Sequence, residues 1–215
     1  MPRLACALLL LIAAGIPARA AAGNLLVAVA ANDGRPAADA VVSLRSDGAR
    51  PPMAPPATHV IDQQDETFIP YVAVFRPGDA VVFHNSDSTR HHVYSFAPAR
   101  AFEFVIPSGE SSPPVTLATP CEIAVGCNIH DLMITHLYVS DAPWVGRTGA
   151  DGRAAFKALP PGTYTVQVWH PQLRPGRPEP QREVAVGEAD AKAAFVLPLL
   201  PDPRRDVGNR ERSAY

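Results

Sequence analysis

Gly126-Cys127-Asn128-Ile129-His130-Asp131-Leu132-Met133 puts a thiol, an imidazole and a thioether at Cys-x2-His-x2-Met spacing. A further pair, His91-His92, lies upstream. Soft sulfur beside imidazole selects copper, and two histidines with a cysteine and a weakly held methionine make the donor set of an electron-transfer copper site. Such a set needs a frame that brings separate stretches of chain together. The flanks supply it: residues 122–126 and 134–140 read as short strands, with Ile123 and Val125 on the same face as Cys127.

The same reading extends outward. Residues 25–29 and 40–44 are apolar strands, the first closed by the turn Asn32-Asp33-Gly34. After the stiff run Pro51-Pro52-Met53-Ala54-Pro55-Pro56 come strands at 68–75, 80–85, 91–96, 102–106 and 115–117, punctuated by Arg76-Pro77-Gly78-Asp79 and Pro107-Ser108-Gly109-Glu110. Roughly seven short strands with a turn every 8–12 residues is the pattern of a β-sandwich. Beyond Pro143, further strands are expected at 154–156, 163–169, 183–186 and 193–197, set off by Asp151-Gly152 and Leu159-Pro160-Pro161-Gly162. Proline makes up 24 of 215 residues, about twice the usual share, and falls between strands. The chain reads as all-β.

Arg3, the apolar run 4–16 and Ala18-Arg19-Ala20 have the form of a cleaved secretory signal, too short to span a bilayer. The expected location is therefore periplasmic or secreted, with no membrane span. Removing 1–20 takes the basic count from 19 to 17 against 21 acidic residues. That mild acidity offers no basic patch for nucleic acid. Cys121 and Cys127 remain in an oxidising compartment, where a disulfide is the ordinary outcome. A strand over 122–126 would hold their Cα atoms about 20 Å apart, beyond the ~7 Å reach of a disulfide. A sharp hairpin at Gly126 would instead bring them together.

Residues 58–142 resemble a cupredoxin. The likeness is carried by Phe68-x-Pro70, Gly78-x-x-Val81-x-Phe83-x-Asn85-x-Asp87, His91-x-Val93 and Cys127-x2-His130. The flanks resemble prealbumin-like modules, through Asp33-Gly34-x-Pro36, Asp151-Gly152-x-Ala154 and Leu159-Pro160-Pro161-Gly162-Thr163-Tyr164. Together they look like exported proteins of the methylamine-utilisation type. The resemblance implies a Greek-key sandwich inserted in, or packed beside, a small prealbumin-like sandwich. The expected divisions are a signal (1–20), the first part of the outer module (21–48), a linker (49–57), the cupredoxin-like unit (58–142), the second part of the outer module (143–198) and a loose tail (199–215).

The resemblance also implies one type 1-like copper ion on His91, Cys127, His130 and Met133, serving one-electron transfer to a periplasmic redox partner rather than catalysis. Strand parity turns His91 inward with Val93 and sends His92 to a supporting or exposed position. Met133 sits closer to its histidine than the common cupredoxin loops place it. A core-filling Met133 and an axial His136 are the alternatives. Two other functions compete: a non-redox envelope-binding module, using Tyr164, Trp169 and Trp144, and a copper-delivery protein. The extra His-x-His pairs of multicopper oxidases are missing from the sequence, as is a Gly-x-Ser-x-Gly elbow.

Overall fold

The computed structural model describes residues 22–206 apart from 49 and 53, so the expected signal lies outside the described residues. The chain is all-β and forms β1 (Gly23–Ala31), β2 (Val41–Arg45), β3 (Thr58–Gln64), β4 (Thr67–Ile69), β5 (Val72–Phe75), β6 (Ala80–Asn85), β7 (His91–Ser95) and β8 (Phe102–Ile106). There follow β9 (Val115–Thr116), β10 (Cys121–Cys127), β11 (Ile134–Val139), β12 (Trp144–Arg147), β13 (Arg153–Leu159), β14 (Gly162–Trp169), β15 (Gln181–Val186) and β16 (Ala191–Leu197). No helix among the described residues is long and apolar enough to cross a membrane.

The strands divide into two sandwiches. Sheets β13-β1-β16 and β12-β2-β14-β15 share a core of Leu25, Val27, Leu44, Phe156, Tyr164 and Phe195. Strict alternation along β1 buries every second side chain, the signature of a strand with one face on a core. Sheets β5-β11-β10-β7-β8 and β4-β3-β6-β9 enclose Ile61, Phe68, Phe83, Val93, Ile123, Val125 and Leu137. Burying each of these side chains contributes about 1.5–3 kcal/mol. In sequence, β3 to β11 fall between β2 and β12, which are hydrogen-bonded neighbours from Trp144↔Leu44 to Arg147↔Val41. The second sandwich is thus an excursion from one antiparallel pair of the first.

Val41, Tyr71 and Val72 form a third buried cluster where the sandwiches meet, with Ile134, Tyr138 and Trp169 against it. Tyr138 donates to Glu179 across this junction at 3.2 Å. Burial, and then the charge of Glu179, push the Tyr138 hydroxyl up to about 12. After β16 the chain stays docked: the Leu200 amide donates to the Gln172 carbonyl, and the Arg204 guanidinium stacks 3.3 Å from the Tyr71 ring centre.

Two expectations change. The strand read across 68–75 is broken into β4 and β5, which belong to different sheets. Pro70, lacking an N–H, stands at the switch. The polar stretch of β3, not assigned to any strand from the sequence, pairs in parallel with β6 from Thr58↔Ala80 to Gln63↔Asn85.

Candidate metal centre

Register brings the donors together. Cys127 ends β10, and its side chain joins Ile123 and Val125 on the core face. It pairs with Val93 of β7, also inward, so His91, two residues earlier, shares that face and meets the loop after Cys127. That loop is tightly held. The Cys127 amide donates to the Met133 carbonyl at 3.1 Å and the Asn128 amide to the His92 carbonyl at 3.0 Å. Leu132 takes a left-handed φ of 68°, uncommon for a side chain of its size, to reverse the chain before β11.

Three ligand atoms converge. Cys127 Sγ lies 3.7 Å from His91 Nδ1 and 4.0 Å from His130 Nδ1, and the two nitrogens are 3.3 Å apart. The point equidistant from all three is about 2.1 Å from each, within bonding range of a first-row ion for imidazole nitrogen and close to it for thiolate sulfur. Among the described residues this is the group of histidine, cysteine and acidic side chains with metal-binding geometry. His91 is fully buried, Cys127 is buried and His130 is half-buried at the rim.

Carboxylates hold the far side of both rings. Asp87 Oδ2 lies 2.8 Å from His91 Nε2. Glu66 Oε1 stands 3.5 Å from His130 Nε2. The Asp87 carboxylate is an acceptor in hydrogen-bond reach, so it favours hydrogen on His91 Nε2 and leaves that ring's Nδ1 lone pair facing the sulfur. Glu66 stands beyond hydrogen-bond length and adds charge beside His130. Three electron pairs aimed at one point repel unless a cation neutralises them. Asp87 is itself well supported. It accepts from the Asp65 amide at 2.7 Å and the Glu66 amide at 3.1 Å, and its own amide donates to Asn85 Oδ1. Burial pushes its carboxyl up, but the His91 hydrogen bond and those two amides outweigh that and hold it below the usual value. Asn85, fully buried, fastens the loop through Nδ2 to the Thr89 and Ile106 carbonyls.

The remaining sequence candidates separate cleanly. Met133 is buried in the same cluster as Cys127. His136 faces the other side of β11, where Nδ1 lies 2.8 Å from Glu122 Oε1 and its ring meets Tyr71 and Trp169. It belongs to the junction between sandwiches. His92 pairs with Glu103 at 2.6 Å on the outer face of the sheet. Cys121 and Cys127 are free thiols at opposite ends of β10. Tyr164, a residue expected for envelope binding, is buried, with its hydroxyl on the Pro160 carbonyl. Trp144 packs edge-on against Tyr164 in the outer core, away from His130. Ile129 and Leu132, neighbours of His130 in the loop, are the exposed apolar side chains there. The roles of Asp87 and Glu66 escaped the sequence reading. An acid four residues before His91 was the available signal for one, and Glu66 carried none, because the strand that leads into its hairpin was not recognised in the sequence.

No family model and no curated protein matches this sequence. Among solved structures, a copper-containing nitrite reductase from Thermus scotoductus SA-01 aligns over 44% of this chain and 24% of its own, at 24% identity and a TM-score of 0.36. This chain thus spans about a quarter of that enzyme's length. An amicyanin variant in its Cu(I) form aligns over 39% of this chain and 82% of its own, at 16% identity and a TM-score of 0.36. Another Cu(I) amicyanin variant aligns over 46% and 99%, at 17% identity and the same score. The site is defined by its own atoms, three converging donors with a carboxylate near the outer nitrogen of each ring.

Proposed function

We propose that this chain is an exported, cupredoxin-like copper protein that carries single electrons and makes or breaks no bonds of its own. One ion of the type 1 kind would be held by His91, Cys127, His130 and Met133. The convergence of the three donor atoms carries this reading. Copper would supply the one-electron change between its two oxidation states. The protein's part is to hold the donors in place beforehand. Backbone hydrogen bonds fix the loop, the Asp87 carboxylate orients the His91 ring, and the surrounding core excludes water from the sulfur. A site that need not rearrange when its charge changes suits electron transfer. A soft thiolate with a thioether nearby favours copper over zinc.

The partner would be a redox protein of the periplasm, meeting the chain at His130, whose neighbours Ile129 and Leu132 are exposed. The finer likeness to methylamine-utilisation-type proteins, carried by the motifs in both sandwiches, fits that setting. The test is optical. Purified protein titrated with Cu(II) is expected to develop intense absorption near about 600 nm, the mark of thiolate bound to Cu(II). Cys127→Ala should abolish it. A colourless product, with Cys127→Ala binding copper as tightly as the native chain, would sink the proposal.

Copper delivery is a second reading favoured by one observation. A cavity of about 200 Å³ borders Met133, with Asp65, Glu66, Asp131 and Arg204 along it. Transfer of bound copper to a competing chelator within seconds would support delivery, and retention over hours would favour the electron carrier.

A further inference from the structure

The hairpin joining β3 to β4 is tied to both histidines. Asp65 and Glu66 each adopt a left-handed backbone, φ 52° and 54°, which aims their consecutive amides at the Asp87 carboxylate. That carboxylate also takes the outer nitrogen of His91. The Glu66 side chain turns back to the outer nitrogen of His130. One short turn therefore couples the ring that is fully buried to the ring at the rim. Ser108 adds a brace, its hydroxyl donating to the Asp87 carbonyl at 2.6 Å.

We infer that Glu66 is a positioning residue that holds His130 through its outer nitrogen and lowers the reduction potential of the bound ion, with Asp87 locking the turn that presents it. The inference rests on the copper reading above. A carboxylate 3.5 Å from Nε2 favours hydrogen on that nitrogen by its charge and so leaves the Nδ1 lone pair directed at the ion. Its negative charge stabilises the more highly charged ion, Cu(II), over Cu(I). The imidazole edge at the rim thus has a carboxylate 3.5 Å from it, and the hairpin sets where that charge stands.

The experiment uses the full exported chain. Glu66→Gln keeps the shape and removes the charge, while Glu66→Ala removes the contact. In copper-loaded protein, Glu66→Gln is expected to lower the ratio of Cu(II) to Cu(I) affinity by about threefold or more, the effect of one unit charge near the ion even at the dielectric of water. The reduction potential rises accordingly, and Glu66→Asp falls between the two. In metal-free protein labelled with nitrogen-15 at histidine, His130 should carry its hydrogen on Nε2, and Glu66→Ala should release it to a mixture of tautomers. Unchanged melting of metal-free Glu66→Gln would set a positioning role apart from a merely structural one. Equal potentials in native and Glu66→Gln protein, or an unmoved His130 tautomer in Glu66→Ala, overturn the inference. If native protein shows no 600 nm band, the copper reading fails on its own, and the tautomer measurement still decides whether Glu66 positions His130.

Discussion

Met133 has two separable roles at the residue scale. Its buried thioether fills the core beside Cys127, and its carbonyl closes the loop by accepting from the Cys127 amide. Met133→Ala should cost about 2–5 kcal/mol in denaturant melts of the metal-free protein, the range for truncating a core methionine. If the sulfur is also an axial ligand, Met133→Leu will keep most of the stability and still shift the copper spectrum. Identical spectra would leave Met133 as a core residue alone. His170 makes a different point. Its Nε2 lies 3.0 Å from the Ala38 carbonyl, and its Nδ1 accepts from the Gln172 amide. Both nitrogens are engaged by the neutral ring, and burial pushes its pKa down, against the pull of the Ala38 carbonyl. The folded chain therefore binds this proton more weakly than the unfolded one. Stability from His170 is complete above the ordinary histidine value of about 6.5, and is lost as pH falls through it toward the lower folded value. Urea midpoints should drop between pH 7 and pH 5, and His170→Gln should shrink that drop by on the order of 1 kcal/mol. An unchanged drop would show that other groups carry it.

At the scale of elements, strands were legible where one face is apolar and hidden where it is not. β1, β10 and β14 alternate plainly. β3 runs Thr-His-Val-Ile-Asp-Gln-Gln and buries just Ile61, Asp62 in part, and Gln63. Its pairing with β6 supplies what its side chains do not. Missing β3 meant missing the hairpin, and so the acid that faces His130. The turn at Gly152 was legible as Asp-Gly, and its packing was not. Its φ is 70°, and a Cβ there would stand 2.4 Å from the Val29 carbonyl oxygen. That oxygen belongs to the central strand of a sheet and cannot yield. Gly152→Ala should therefore destabilise the outer sandwich by more than about 1 kcal/mol, through positive φ and overlap together. A melting temperature equal to the native value would refute this.

For the whole molecule, the junction decides how far the two sandwiches act as one body. Trp169 of β14 meets both His136 and Tyr138 of β11, at ring-centre distances of 5.9 and 4.9 Å. Trp169→Ala should cost about 2–3 kcal/mol, less than for a fully buried tryptophan. Calorimetry should then resolve two transitions in place of one, since the remaining contacts resemble a modest interdomain interface. A single transition would show that the β2–β12 pairing alone couples the halves. On the copper proposal, the ion at 100 times its dissociation constant should stabilise the sandwich carrying His91 and Cys127 by about 2.7 kcal/mol, which would raise one of those two transitions selectively.

The all-β class and the residue types and spacing of the donor set were legible in the sequence. These follow from period-two alternation and from the chemistry of sulfur and imidazole, both local properties of the chain. The separation of Cys121 from Cys127 along a strand, against a hairpin that would have joined them, was settled by the fold. Tertiary structure decided which donors meet. It set the β7–β10 register that carries His91 to Cys127 and turned His136 toward the junction. It also brought Asp87 and Glu66, from a loop and a hairpin remote in sequence from the Cys127 loop, to the outer nitrogens of the two rings. Which strands pair, and in what register, depends on contacts between residues tens of positions apart, and no local pattern records those.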